Sequence, residues 1–258
     1  DANMNAAPEG YIDIGPWDVI SLPPGVWRKF ENTSNEDAWC FAVLEAHQVF
    51  AGKDPYWAPE VERQAAVMFL DVRGFTQMSE RQLPYDVVFL LNRFFRAIGD
   101  AIQGEGGWID KYMGDGLLAV FGRDTGAREG SRAALAAAAK IDLALDRLNA
   151  ELEVEHHAPL AVGIGLHAGP LVIGRIGHPE SAAVTVIGQV VNTAARLEAL
   201  TKDKACQLII SRELARLADW DGAGAIAESV AVRGLSRPVE VLFVQRARAV
   251  LRAEREDA

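Results

Sequence analysis

The chain has 258 residues, of which 50% are hydrophobic and 24% are charged, a composition typical of a globular protein that buries a core without disulfides. Lys and Arg number 26 against 36 Asp and Glu, and the net charge of −10 argues against nucleic acid as a partner, because such binding needs cations that neutralise phosphates. The 2 cysteines exclude a disulfide framework and fit a reducing compartment, so we expect a cytoplasmic protein. No apolar run approaches the ~18 residues of a membrane span, and none is expected in this chain.

Residues 1–60 differ in composition from the rest, with 4 of the 6 Trp and 6 of the 11 Pro. Short β-prone runs at 18–22, 27–31 and 40–44 alternate with turn residues, which predicts a short all-β segment. Proline removes a backbone donor and restricts the residue before it, so the prolines between 55 and 59 predict a linker.

Residues 17–32 carry Asp18, Pro23, Gly25 and Asn32 in a fixed spacing. With this spacing the segment resembles the second conserved motif of a cupin barrel, and 37–44 and 54–60 suit the closing strands of that fold. The metal-binding His of the motif would fall on Arg28, and the first cupin motif is absent. The resemblance therefore implies a structural or regulatory cupin-like remnant, and it opposes a cupin-type oxygenase or metal sensor.

From residue 61 the sequence alternates between strand and helix patterns. Strands are predicted at 66–70, 108–113, 117–121, 160–168, 171–176, 184–187, 208–210, 229–232 and 239–244, and helices at 85–102, 130–152 and 189–200. Two hairpins are predicted, one around Gly114-Asp115-Gly116 and one around Gly169-Pro170. This mixed order predicts an α+β sandwich, in which helices flank one sheet.

The first of three polar motifs reads FLDVRGFT from 69 to 76. It places Asp71 where a buried strand ends, and a glycine-containing turn follows. Backbone N–H groups of such a turn can point at an anion, which is typical of a binding site. An Asp that caps the next helix would explain the same residues equally well.

The second motif reads GGWIDKYMGDG from 106 to 116. Asp115 lies at the predicted hairpin tip, between glycines that allow other groups to approach the backbone. An isolated Asp-Gly pair more often serves only the turn. Likewise, Lys111 on an apolar strand is more often a solvated edge residue.

The third motif reads TVIGQVVNTAAR from 185 to 196. Asn192 and Arg196 are four residues apart on a predicted helix, so they share one face. The opposite face of this helix carries apolar residues, which we expect to face the core: Val190, Ala194 and Leu197. A polar pair of this kind usually means only a polar surface, but here it lies in the first turns of a helix entered through Gly188.

Together the three motifs resemble those of the class III nucleotidyl cyclase catalytic domain. That family carries a Phe-x-Asp-x-x-Gly-Phe-Thr segment, a Lys-x-x-x-Asp hairpin and an Asn-x-x-x-Arg helix in this order, and GIGLHAGP at 163–170 matches as well. The resemblance implies a ferredoxin-like cyclase sandwich with a mixed, mainly antiparallel sheet over 61–247, and a charged tail at 248–258.

The resemblance also implies a metal and phosphate site. Asp71 and Asp115 would bind two Mg²⁺ or Mn²⁺ ions, with the Val72 carbonyl as a further ligand. Backbone N–H groups around Gly74, Phe75 and Thr76 would help to bind the β- and γ-phosphates of the substrate. Because the cations carry the phosphate charge, an acidic chain can still bind a nucleotide.

Three polar residues would serve the reaction itself. Arg196 would stabilise charge at the α-phosphate while the ribose 3′-oxygen attacks in line and pyrophosphate leaves. Asn192 would hold the ribose in the attack geometry. Arg233 is similar to a basic position that binds the triphosphate.

Lys111 and Thr185 match the pair that reads the base in this family, where Lys with Asp or Thr goes with adenine and Glu with Cys goes with guanine. A Lys can donate to a ring nitrogen of adenine, and a Thr hydroxyl can accept from its amine. The resemblance thus implies ATP as substrate. Thr at this position is similar to adenylate cyclases that respond to bicarbonate, so bicarbonate or another small molecule is an expected activator.

In this family one site takes its metal residues and its base-reading residues from opposite subunits. We therefore expect a homodimer with two equivalent sites related by two-fold symmetry. The pair Asp71 and Asp115 of one chain would face the base- and ribose-binding residues of the other.

Two further functions compete with an adenylate cyclase. A catalytically silent, nucleotide-binding regulatory module is disfavoured, because the residue expected in an active cyclase is present at every metal and catalytic position. A guanylate cyclase is opposed by Lys111 and Thr185.

Overall fold

The fold is described for residues 61–80, 82–176, 183–232 and 237–251 in a computed structural model of the chain. The predicted cupin-like segment and linker at 1–60, Arg233, and the end of the charged tail at 252–258 lie outside the described residues.

Eight strands and five helices make up the described part, together with a short 3₁₀ helix. The strands are β1 (Val61–Val72), β2 (Trp108–Met113), β3 (Gly116–Phe121), β4 (Val162–Ile176), β5 (Ala183–Ile187), β6 (Leu208–Ser211), β7 (Ile226–Val230) and β8 (Val239–Val244). The helices are α1 (Phe75–Ser79), α2 (Pro84–Gly104), α3 (Ala127–Val154), α4 (Gln189–Asp203) and α5 (Arg212–Leu217), and the 3₁₀ helix spans Ala247–Leu251. No helix among these is long and apolar enough to cross a lipid bilayer.

The strands form one sheet in the order β2-β3-β1-β4-β6-β8-β7, and β5 pairs with β4 beside this path. β4 and β6 run parallel, whereas all other neighbours are antiparallel. The predicted mixed, mainly antiparallel sheet is therefore confirmed.

β1 lies at the centre of the sheet, and both of its faces are covered. Ala66, Met68 and Leu70 pack in the main core with residues of α2 and α3. Ala65 and Val67 point to the opposite face and pack with residues of α4. Since a strand buried on both sides needs no polar alternation, the buried part of β1 is a continuous apolar run from Ala65 to Leu70.

The predicted hairpin around Gly169-Pro170 is wrong, because β4 continues through both residues. β1 pairs with β4 along its whole length, and Gln64 stands opposite Pro170. On its other edge β4 pairs with β6 over 164–166 and with β5 over 172–176. Pro170 lies between these two partners, where a residue without an N–H costs the sheet little.

The sequence did not predict the short helices α1 and α5, which are too brief to show a helical period. α5 nevertheless carries a recognisable start signal, because the Ser211 hydroxyl accepts a hydrogen bond from the Leu214 N–H at 3.2 Å. The first residues of the predicted tail also belong to the fold: Val250 is buried, and Arg248 binds the buried Asp142.

Candidate active site

Asp71 and Asp115 lie close together where β1 and β3 meet the β2–β3 turn. Asp71 is paired with Gly116, so the neighbouring Asp115 is brought beside it. Burial raises the pKa of Asp71, and the charge of Asp115 raises it further. Gly114 makes the turn with a φ of 64°, a conformation that favours glycine.

The donor set of this pair fits a divalent cation. Two carboxylates and the carbonyl of Val72, the last residue of β1, are hard oxygen donors of the kind that Mg²⁺ and Mn²⁺ prefer. A cation would also relieve the repulsion that raises the pKa of Asp71. Within the described ranges, no group of three or more His, Cys, Asp or Glu side chains could hold a metal ion alone. Water and substrate oxygens would therefore have to complete its coordination, as is usual for Mg²⁺.

The predicted phosphate-binding segment forms a helix start directly after the carboxylate on β1. Gly74 has a φ of 66°, and α1 begins at Phe75. The Gly74 carbonyl accepts from the Met78 N–H at 3.1 Å. The N–H groups of Phe75 and Thr76 fall in the first turn, where a helix offers them no carbonyl partner. The sequence motif thus provides backbone N–H groups without a helical partner four and five residues after Asp71.

Arg73 holds this segment against the sheet, a role that the sequence analysis missed. Its guanidinium donates to the carbonyl of Cys206 at 2.6 Å and to that of Val162 at 3.4 Å. Its own N–H donates to the Ala161 carbonyl at 2.8 Å. The loop after β1 is therefore anchored to β4 and to the segment before β6.

Glu198 is a third acidic group near the pair, and the sequence analysis missed it as well. Burial, together with the charges of Asp71 and Asp115 and against the opposing charge of Arg73, raises the pKa of Glu198 to about 7. A Cβ at Gly163 would meet the Glu198 carboxylate. A Cβ at Gly165 would lie 2.2 Å from the Ala194 carbonyl oxygen, so Gly165 is the glycine that allows the α4 backbone to pack close to β4. The position of Glu198, two residues after Arg196 and on the sheet-facing side of the helix, was the available signal.

Lys111 and Thr185, the predicted base-reading pair, contact each other within one chain. Lys111 Nζ donates to Thr185 Oγ1 at 2.6 Å, and Thr185 Oγ1 donates to Asp110 Oδ2 at 3.0 Å. Lys111 Nζ also lies 3.1 Å from the same Asp110 oxygen. Although β2 and β5 are not neighbours in the sheet, Val186 of β5 packs over the sheet face with Leu118 of β3, which brings β5 to β2.

Asn192 and Arg196 occupy the outer side of α4, as predicted. Asn192 is exposed and Arg196 is half-buried, while the predicted core stripe is buried: Val190, Ala194 and Leu197. In the described part of the chain neither polar residue makes a hydrogen bond or ion pair with Asp71 or Asp115. One chain therefore brings together two separate sets, the carboxylate pair and the base-reading pair, and leaves Asn192 and Arg196 facing outward.

The chain is similar in sequence to a known family of catalytic domains and to curated proteins. The family model described as "Adenylate and Guanylate cyclase catalytic domain" matches residues 58–238. An adenylate cyclase of Anabaena cylindrica is 35% identical over 190 residues, which are 71% of this chain and 37% of that protein. An uncharacterised protein of Mycobacterium tuberculosis H37Rv is 37% identical over 182 residues, or 70% of this chain and 31% of that protein. The chain thus spans about a third of the length of these curated relatives.

Two solved structures show similar folds. The guanylyl cyclase Cya2 aligns with a TM-score of 0.66 and 31% identity over 72% of this chain and 93% of its own. The adenylyl cyclase CyaB from P. aeruginosa aligns with a TM-score of 0.65 and 27% identity over 72% and 96%. Since the two are named for different nucleotides, overall likeness does not select ATP or GTP. By its fold, its motif residues and the matched family model, the chain belongs to the family of adenylate and guanylate cyclase catalytic domains, enzymes that use divalent metal ions.

Proposed function

We propose that the chain is an adenylate cyclase, which converts ATP into 3′,5′-cyclic AMP and pyrophosphate. The observation that carries the choice of ATP is the contact between Lys111 and Thr185. A lysine ammonium offers only donors, and a threonine hydroxyl can accept. Adenine needs one of each, because its N1 accepts a hydrogen bond and its 6-amino group donates one.

The phosphates would bind at the end of β1. Asp71, Asp115 and the Val72 carbonyl would hold two Mg²⁺ or Mn²⁺ ions, which neutralise phosphate charge and favour ionisation of the ribose 3′-hydroxyl when bound. The N–H groups of Gly74, Phe75 and Thr76 would donate to the β- and γ-phosphates. These donors are fixed before substrate arrives, so they need little reorganisation during the reaction.

The bonds that form and break in the cyclisation of ATP suggest roles for Arg196, Asn192 and Arg233. The 3′-oxygen forms a bond to the α-phosphorus, the bond from that phosphorus to the bridging oxygen breaks, and the hydroxyl proton passes to solvent. Arg196 would stabilise the charge that develops at the α-phosphate. Asn192 would orient the ribose for in-line attack, and Arg233 would add charge at the triphosphate.

We further propose that each site is shared between two chains of a homodimer. The two sets of residues described above support this arrangement, because Asn192 and Arg196 are directed outward from α4 rather than bonded to the carboxylates of their own chain. With two-fold symmetry, each chain would supply its carboxylates to one site and its Lys111, Thr185, Asn192 and Arg196 to the other.

The test is product formation by the purified chain with ATP or GTP, each with Mg²⁺ or Mn²⁺, with and without added bicarbonate. Separation of cyclic nucleotides by chromatography identifies the product. Cyclic AMP in large excess over cyclic GMP is expected. Preferential formation of cyclic GMP would overturn the choice of substrate, and the absence of either product under every condition would overturn catalysis by this chain.

A further inference from the structure

We propose that Asp110 is a positioning residue, which sets the direction of the Thr185 hydroxyl and thereby makes the base site select adenine over a 6-oxopurine. The inference rests on the proposed function, because it concerns base selection at the same site. Asp110 lies within the second motif but was given no role there, and its role follows from its contacts alone.

The hydrogen bonds around Thr185 can run in only one direction. Lys111 Nζ lies 2.6 Å from Thr185 Oγ1, and Asp110 Oδ2 lies 3.0 Å from it. An ammonium can only donate and a carboxylate can only accept. The hydroxyl must therefore accept from Lys111 and give its single proton to Asp110.

What remains for a ligand is one acceptor and one donor. Thr185 Oγ1 keeps one free lone pair, since its proton and its other lone pair are engaged. Lys111 has three N–H groups, of which one points to Thr185 and one to Asp110, so one is left. This pattern complements N1 and the 6-amino group of adenine. A 6-oxopurine presents the reverse pattern, with N–H at N1 and an acceptor at O6.

A β-bulge explains how Asp110 and Lys111 reach the same partner. Ile109 pairs with Ala119 and Lys111 pairs with Leu118, so Asp110 is an extra residue without a partner on β3. In a regular strand, adjacent side chains point to opposite faces. The bulge turns the strand locally, and both side chains bind Thr185.

The burial of Asp110 supports a role through Thr185 rather than through direct contact with a ligand. Its side chain is 0% exposed, whereas that of Lys111 is 43% exposed. Its second oxygen, Oδ1, is buried without a hydrogen-bond partner. A buried, half-satisfied carboxylate costs stability, so a residue needed only for packing would be better replaced by an apolar side chain.

The experiment compares kcat/KM for ATP with that for inosine triphosphate, which carries the 6-oxo group without the 2-amino group of guanine. Asp110→Leu removes the acceptor while keeping the shape of the side chain. We expect the preference for ATP to fall about tenfold, the worth of one hydrogen bond. Asp110→Asn should keep most of the preference, because Lys111 forces the amide oxygen towards itself and Thr185. Asp124→Leu, which removes an exposed carboxylate after β3, is the control and should leave the ratio unchanged.

Further variants separate this role from a structural one. Thr185→Val should lower the ratio by itself, and adding Asp110→Leu should then have no further effect, because the two residues act as a unit. A merely structural role would lower both activities in proportion. If Asp110→Leu still changes the ratio of kcat/KM values for ATP and inosine triphosphate in the Thr185→Val background, Asp110 acts through Lys111, and the proposal is overturned.

Each outcome decides a different claim. If Asp110→Leu does not fold, as judged by circular dichroism, Asp110→Ala removes the same acceptor. A wild-type ratio in Thr185→Val would overturn the inference whatever happens at position 110. The wild-type chain is assayed first, so a preference for GTP would defeat the proposed function. An ATP preference that survives Asp110→Leu would defeat only the inference.

Discussion

Asp71 on β1 stands opposite Gly116 on β3, and a Cβ at position 116 would lie 2.7 Å from Asp71 Oδ1 and equally close to the Leu70 carbonyl. The glycine is thus part of the candidate metal site, because it leaves room for the carboxylate. We predict that Gly116→Ala displaces Asp71 and lowers cyclase activity about a hundredfold, the effect of a small misplacement at a reacting centre.

The control for this variant is Gly104→Ala at the end of α2, where a Cβ meets nothing within 4 Å. That chain should keep wild-type activity, and its melting temperature should be unchanged or slightly higher, because Ala is favoured over Gly in a helix. Product assays and thermal melts of both variants make the comparison, and full activity in Gly116→Ala would contradict the proposed position of the cation site.

Removing one carboxylate of the pair should have opposite effects on stability and on activity. Burial and the charge of Asp115 both raise the pKa of Asp71, so ionised Asp71 is unfavourable in the metal-free fold. We predict that Asp71→Asn slightly raises the melting temperature in the presence of a chelator, and that it abolishes cyclic nucleotide formation. It should also abolish the rise in melting temperature that Mn²⁺ and nucleotide give the wild type.

The control is Asp124→Asn, whose carboxylate is exposed and follows the opposite end of β3 from Asp115. It should keep both activity and the metal-dependent shift. Wild-type turnover by Asp71→Asn would remove this residue from the metal site.

Mixing two inactive variants tests whether sites are shared between chains. Asp115→Ala lacks a metal ligand and Asn192→Ala lacks the ribose contact, so each should be inactive alone. In a mixed dimer, one of the two sites has both residues intact if the site draws on opposite subunits. We predict about a quarter of wild-type activity in an equimolar mixture, since half of the dimers are mixed and each has one good site. No recovery after verified subunit exchange would show that one chain supplies both residues.

Glu198 and His167 should give the stability of the fold opposite dependences on pH. Burial raises the pKa of Glu198 to about 7 from 4.5, so the folded chain retains a proton that the unfolded chain releases, and rising pH destabilises the fold through this group. Burial lowers the pKa of His167 to about 4 from 6.5, so the unfolded chain retains the proton and rising pH stabilises the fold. Between about pH 4.5 and 6.5 the two effects oppose each other.

Single variants should separate the contributions of the two groups to the pH dependence of the free energy of unfolding. Relative to the wild type, Glu198→Gln should gain stability as pH rises from 4.5 to 7, by about 1–2 kcal/mol because partial exposure screens the charge. His167→Gln should lose relative stability as pH rises from 4 to 6.5. Urea unfolding with a chelator present measures both, and variant curves parallel to the wild-type curve would refute the two pKa directions.

The sequence predicted the parts of the fold in which each element carries its own signal. The helical period of α2 predicted 85–102, close to its observed bounds. The apolar run predicted only the centre of β1, at 66–70, because the polar residues at 62–64 hide the first part of the strand. The prediction of a hairpin at Gly169-Pro170 was wrong because it took Gly and Pro as a turn signal. Whether they interrupt a strand depends on which strands pair with each edge of β4. Those partners are tertiary, and no local pattern contains them.

The candidate site also contains some residues that could be predicted from the sequence and others that could not. Asp71 and Asp115 come together through the register between β1 and β3, as the family resemblance implied. Glu198 and Asp110 were missed because their roles depend on what α4 and β5 bring next to them. A single Asp before Lys111 looks like an ordinary strand residue until the bulge and the contact with Thr185, 75 positions away, are seen.

The bulge in β2 also bears on how the protein behaves at high concentration. Within the described sheet β2 is an outer strand, and outer strands expose backbone groups to which a strand of another molecule can add. An extra residue in the middle of β2 breaks the regular spacing of those groups. A strand added to β2 would have to accommodate the extra residue, so we expect the bulge at Asp110 to make edge-to-edge pairing less favourable. Deleting residue 110 would restore a regular edge, and solubility would then be lost along with base selection.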